Sequence, residues 1–178
     1  TKVAADTFAM PSTVYVGLAV SSHDTTRTAT AAFDHVSIVA SGLPSGWAAQ
    51  DVGAVGAAGT TAESSGAFTV SGAGADVWGS ADAFHFAYRP LTGDGQIIAR
   101  VESITPVASW AKAGVMMRES LAAGSAHAFM LVSAGKGLAF QRRTATDAAS
   151  ANSGGPAAAA PYWVKLTRSG RTITAAAS

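Results

Sequence analysis

Short alternating segments, each stopped by glycine, serine, proline or aspartate, run through this chain from end to end. Val14, Val16, Leu18 and Val20 alternate with Tyr15, Gly17 and Ala19; Phe84, Phe86 and Tyr88 alternate with His85, Ala87 and Arg89. A period of two sends one set inward and the other outward, as in a half-buried strand. Further strands are expected over 96–104, 111–119, 126–133, 137–143 and 162–168, and Gly93-Asp94-Gly95 suits a tight turn. The Ala/Ser/Gly/Pro-rich stretch 144–161 is expected to be a long loop, and 41–47 (SGLPSGW) a linker. Many short strands without a convincing helical period predict an antiparallel sandwich or barrel.

Composition narrows the function. A chain of 178 residues is the size of one domain, 1–178, with enough material for a sizeable core. The absence of cysteine excludes a disulfide scaffold and a zinc–thiolate site. No uninterrupted apolar run reaches the roughly 18 residues of a spanning helix, so membrane insertion is not expected. TKVAADTFAM carries no signal-peptide pattern, so any leader is expected upstream or already removed. Residues 1–99 carry a net charge of −5 and residues 100–178 one of +6, but the cations are dispersed, so nucleic acid is not an expected partner.

Face parity selects the candidate site. In a regular hairpin over 96–119, Ile97, Ala99, Val101, Ala113, Val115 and Met117 share an apolar face. Arg100, Glu102, Trp110, Lys112, Met116 and Arg118 share the other. His85 lies opposite Phe84 and Phe86, and Trp163 and Lys165 lie opposite Val164 and Leu166. This yields a candidate ligand face of His85, Arg100, Glu102, Trp110, Lys112, Arg118, Trp163 and Lys165. There the indoles would stack on sugar rings while charged groups fork onto hydroxyls. The alternative is ordinary surface charge with half-buried indoles snorkelling between sheets. Catalysis has little support: glycoside hydrolysis needs two carboxylates across one bond, and only Glu102 falls on this face. The histidines lack metal-ligand spacing and no serine sits in a nucleophile elbow, so no enzyme activity is expected.

Four stretches carry a resemblance. They are GAGADVWGSADAFHFAYRPLTGDGQIIARV (72–101), WAKAGVMMRES (110–120), PYWVKLTRSGRTITAAAS (161–178) and YVGLAVSSHDTTRTATAAFDHVSI (15–38). Together they resemble the bacterial concanavalin A-like jelly-roll modules of secreted multidomain proteins, including those of the regulation-of-enolase type. The resemblance implies an all-β, two-sheet antiparallel jelly-roll sandwich, an extracellular setting, and binding to a polysaccharide or glycan surface. In such modules a structural calcium often joins the first and last strands, and Asp34 and Asp51 match those positions. Asp34 also falls on the apolar parity of Val36 and Ile38, where a lone carboxylate is costly. An alternative is that Asp34 accepts backbone N–H bonds and Asp51 caps a turn.

The order of these stretches differs from the family pattern. Residues 1–40 correspond to the closing strands of a module, and 48–178 to its opening and central strands. Either the first strands fold back onto the same chain, or they complete copies of the same protein by strand exchange, building an oligomer or fibre.

Overall fold

The computed structural model describes residues 1–40, 46–64 and 66–178, and among these every regular element is a strand. Two seven-stranded antiparallel sheets form a β-sandwich. The first sheet runs, edge to edge, β1 (Lys2–Thr7), β16 (Thr172–Ala177), β15 (Tyr162–Ser169), β10 (Gly95–Ile104), β3 (Asp24–Ala40), β6 (Ala67–Gly74) and β5 (Thr60–Ser64). The second runs β14 (Ala151–Gly154), β13 (Leu138–Arg143), β12 (His127–Ser133), β11 (Lys112–Arg118), β2 (Thr13–Ser21), β9 (Phe84–Thr92) and β4 (Ala48–Val52). A two-stranded hairpin, β7 (Val77–Trp78) and β8 (Ala81–Asp82), completes the described elements.

Alternation builds the main core. Val14, Val16, Leu18 and Val20 of β2 meet Ala113, Val115 and Met117 of β11 on the inner face of the second sheet. Ile97, Ala99 and Val101 of β10 face them from the first sheet with Phe33, Val164 and Leu166. Each of the larger side chains among these, fully buried, contributes about 1.5–3 kcal/mol of transfer free energy. Two strands of the first 40 residues are interior to the layers: β2 lies between β11 and β9, and β3 between β10 and β6. The chain ends meet, because the Thr1 ammonium donates to the Ala177 carbonyl at 2.7 Å and the Ala177 N–H donates to the Thr1 carbonyl at 2.8 Å.

Two expectations change. The hairpin over 96–119 does not form: β10 pairs with β15 and β3, β11 pairs with β12 and β2, and the link between β10 and β11 crosses from one sheet to the other. Both strands still point their apolar sets at the core, which is why parity alone could not distinguish the arrangements. The stretch 144–161 is not all loop, since Ala151–Gly154 pairs with β13 and extends the second sheet. Most of the linker expected over 41–47 lies outside the described residues.

Candidate functional site

The outward side of the second sheet is a second apolar layer. Met116, Phe129 and Leu131, which alternate away from the main core, are fully buried against Val77, Val52, Phe84 and Phe86. The hairpin β7–β8 lies over this side, with Val77 packed into the layer. His85 is therefore inverted relative to expectation. The three aromatic residues Phe84, Phe86 and Tyr88 point outward, and His85 points toward the first sheet.

A charged knot anchors the hairpin. Asp82 sits beneath it with Arg118 of β11, Arg143 of β13 and His127 of β12, and all four side chains are 0% exposed. Arg143 reaches the Asp82 Oδ1 from Nη2 at 2.7 Å and the Oδ2 from Nη1 at 2.9 Å, and Arg118 adds a contact from Nη1 at 3.2 Å. The remaining guanidinium protons go largely to backbone carbonyls. Arg143 donates to those of Trp78, Gly79, Ala123, Ser125 and Ala148, and Arg118 to those of Ser120 and Ala122. Burial lowers the Arg118 pKa, with Asp82 opposing the shift. Burial, reinforced by both guanidinium groups and opposed by Asp82, holds His127 at about 4. Arg118, expected to face a ligand, is thus a structural cation that holds the hairpin down.

Beside the knot a cleft of about 300 Å³ opens between Trp78 of the hairpin and Trp110 at the entrance to β11. Asp76, Lys112, Gln141 and Asn152 complete its lining. Lys112 is only 1% exposed. It ion-pairs with the Asp76 carboxylate and donates to the Val77 carbonyl at 3.2 Å and the Gln141 Oε1 at 2.9 Å. Its ammonium also lies 5.4 Å from the Trp110 ring centroid and 6.0 Å from that of Trp78. Burial pushes the lysine below its usual pKa, and Asp76 works against that shift. Asp76 is itself held by the Val77 N–H at 2.7 Å and by His23 Nδ1 at 3.3 Å. Trp78 is 39% exposed, the one large hydrophobic side chain so open among the described residues.

The eight expected ligand-face residues are divided among four places. Trp110 and Lys112 line the cleft, and Arg118 lies in the adjacent knot. Arg100, Glu102, Trp163 and Lys165 lie on the outward side of the first sheet, across the sandwich. There Arg100 pairs with Glu102, Trp163 tilts against His35 at 5.8 Å between ring centroids, and Trp163 and Lys165 border a depression of only about 60 Å³. His85 is buried where β9 and β4 approach the first sheet. Its Nδ1 lies 2.7 Å from Asp51 Oδ1 and its Nε2 3.0 Å from Thr61 Oγ1, while Asp51 also accepts the Gly59 N–H at 3.1 Å. A Cβ on Gly59 would stand 2.3 Å from the His85 ring, so a side chain there would displace the imidazole.

The paired aspartates also separate. A bulge in β3, with His35 at φ 51°, reverses the parity expected for Asp34: its side chain is 41% exposed and pairs with His35 Nδ1 at 3.0 Å. Asp51 belongs to β4 in the other sheet and is engaged by His85. Among the described residues no three His, Cys, Asp or Glu side chains gather as a metal site.

Sequence reasoning missed Trp78, Gln141 and Asn152. Trp78 did carry a signal: a tryptophan two residues after Asp76 in the turn-rich stretch 74–83, where alternation stops. Comparison with family models, curated proteins and solved structures returned no match.

Proposed function

We propose that this protein is a non-catalytic, secreted carbohydrate-binding sandwich of the concanavalin A-like jelly-roll type, and that it holds a glycan in the Trp78/Trp110 cleft. The observation that carries this reading is the pair of indoles that line one cleft together with the polar side chains of Asp76, Gln141 and Asn152. Sugar rings present apolar C–H faces and hydroxyl rims, and a cleft with aromatic walls and a few fixed polar groups answers both. Asp76 is the single carboxylate lining the cleft, and it is already engaged by Lys112 and His23, which favours binding over hydrolysis. The test is affinity electrophoresis through gels containing soluble polysaccharides. Native protein should be retarded by at least one polymer, and Trp78→Ala and Trp110→Ala should migrate freely while keeping the parent's unfolding transition. Equal retardation of parent and both variants would move the site elsewhere.

A further inference from the structure

We infer that the cleft selects neutral saccharide segments over uronic-acid or sulfated ones, with Lys112 organising the site rather than holding the ligand; this rests on the glycan-binding reading above. A lysine between two indoles invites the opposite conclusion, that the ammonium waits for an anionic sugar. The hydrogen-bond count argues against that. An ammonium has three N–H donors, and Lys112 has three acceptors within the protein: the Asp76 carboxylate, the Val77 carbonyl and the Gln141 Oε1. The side chain is 1% exposed, so no donor is left pointing into the cleft.

What a ligand meets instead is the periphery of that arrangement. Gln141 spends its oxygen on Lys112, which fixes the amide and leaves its N–H₂ group as the donor. The exposed Asn152 offers both a donor and an acceptor, and the partly exposed Asp76 offers its Oδ2, which among the described residues is contacted by His23. These groups suit hydroxyls, which donate and accept. A carboxylate or sulfate would be brought against the Asp76 carboxylate without any free cation lining the cleft to receive it, and like-charge contacts of that kind disfavour binding.

Matched polymers test this without changing the backbone geometry of the ligand. The native protein would be run through gels of hydroxyethyl-cellulose against carboxymethyl-cellulose, dextran against dextran sulfate, and methyl-esterified pectin against polygalacturonate. Retention on the neutral member of a pair should exceed that on the acidic member by more than about tenfold. It should hardly change between about 0.01 M and about 1 M salt. Stronger retention on acidic members, weakening with salt yet still abolished by Trp78→Ala, overturns the neutral preference and leaves the cleft in place. No retention on any polymer, or retention indifferent to both tryptophan substitutions, overturns the cleft itself and the preference with it. Lys112→Met is the second arm. It should lower retention on neutral polymers by disordering Asp76 and Gln141, and an unchanged neutral affinity in a folded variant would remove the organising role.

Discussion

Arg100 and Arg118 occupy outward positions on β10 and β11, and each meets a carboxylate, yet their surroundings differ completely. Arg100 and Glu102 remain about one-third exposed on the open side of the first sheet. Arg118 and Asp82 are sealed beneath a hairpin on the covered side of the second. On the open side water screens the charges and the pair is worth about 0–1 kcal/mol. On the covered side, removing one partner strands the other without solvent. The contrast shows that outward parity is not exposure. A sheet can carry apolar residues on both faces when a local excursion of the chain covers one of them, and the cleft exists only because that cover is there.

The largest expected effect removes the frame that both faces share. A chain beginning at Trp47 lacks β1 and the interior strands β2 and β3, one in each sheet, and should show no cooperative unfolding transition by circular dichroism. Adding a peptide of residues 1–40 tests the competing use of these strands, donation to another copy: restored structure in trans, with dimers by light scattering of the full chain, would favour strand exchange. A concentration-independent monomer near 17.7 kDa would count against it.

Next comes the buried knot. Asp82→Ala should destabilise the fold by about 3–5 kcal/mol in denaturant unfolding, because Arg118 and Arg143 lose their shared counter-ion. A cost below about 1 kcal/mol would erase the distinction between the two sides. His127 supplies a pH test of the same region. Its folded pKa of about 4 lies below the 6.5 of an unexposed-to-perturbation histidine, so the unfolded chain takes up the proton first as pH falls. Stability should therefore decline from about pH 6.5 to about pH 4, by roughly 3 kcal/mol from this group, and level off below. His127→Gln should flatten that part of the curve, and an unaltered slope would refute the assignment. At the small end, Glu102→Gln should change stability by less than about 1 kcal/mol, and Trp163→Ala should leave glycan retention untouched.

The sequence revealed the main core and concealed the covered face for one physical reason. Period-two alternation assigns residues to sides of a strand, and it did so correctly for Val14 to Val20, Ile97 to Val101 and Ala113 to Met117. It does not say which sheet a strand joins, so Arg100 and Lys112 were expected on one face when they lie on opposite sides of the sandwich. Nor does it say what covers the outward side, so alternation separates His85 from Phe84 and Phe86 without showing that the two phenylalanines are the outward pair. The bulge at Asp34 and His35 shifted the count within a strand, a change that alternation alone does not reveal. Trp110 and Lys112 were legible as neighbours on one outward face, and both line the cleft.

The knot also imposes an order in time. Asp82 meets Arg118 across 36 residues of chain and Arg143 across 61, and Arg143 also grips the carbonyls of Trp78 and Gly79. The knot that holds the hairpin bearing one wall of the cleft thus closes only when β11 and β13 are both in place. Capture of a ligand by this cleft would therefore report that the strands beneath it had already finished assembling.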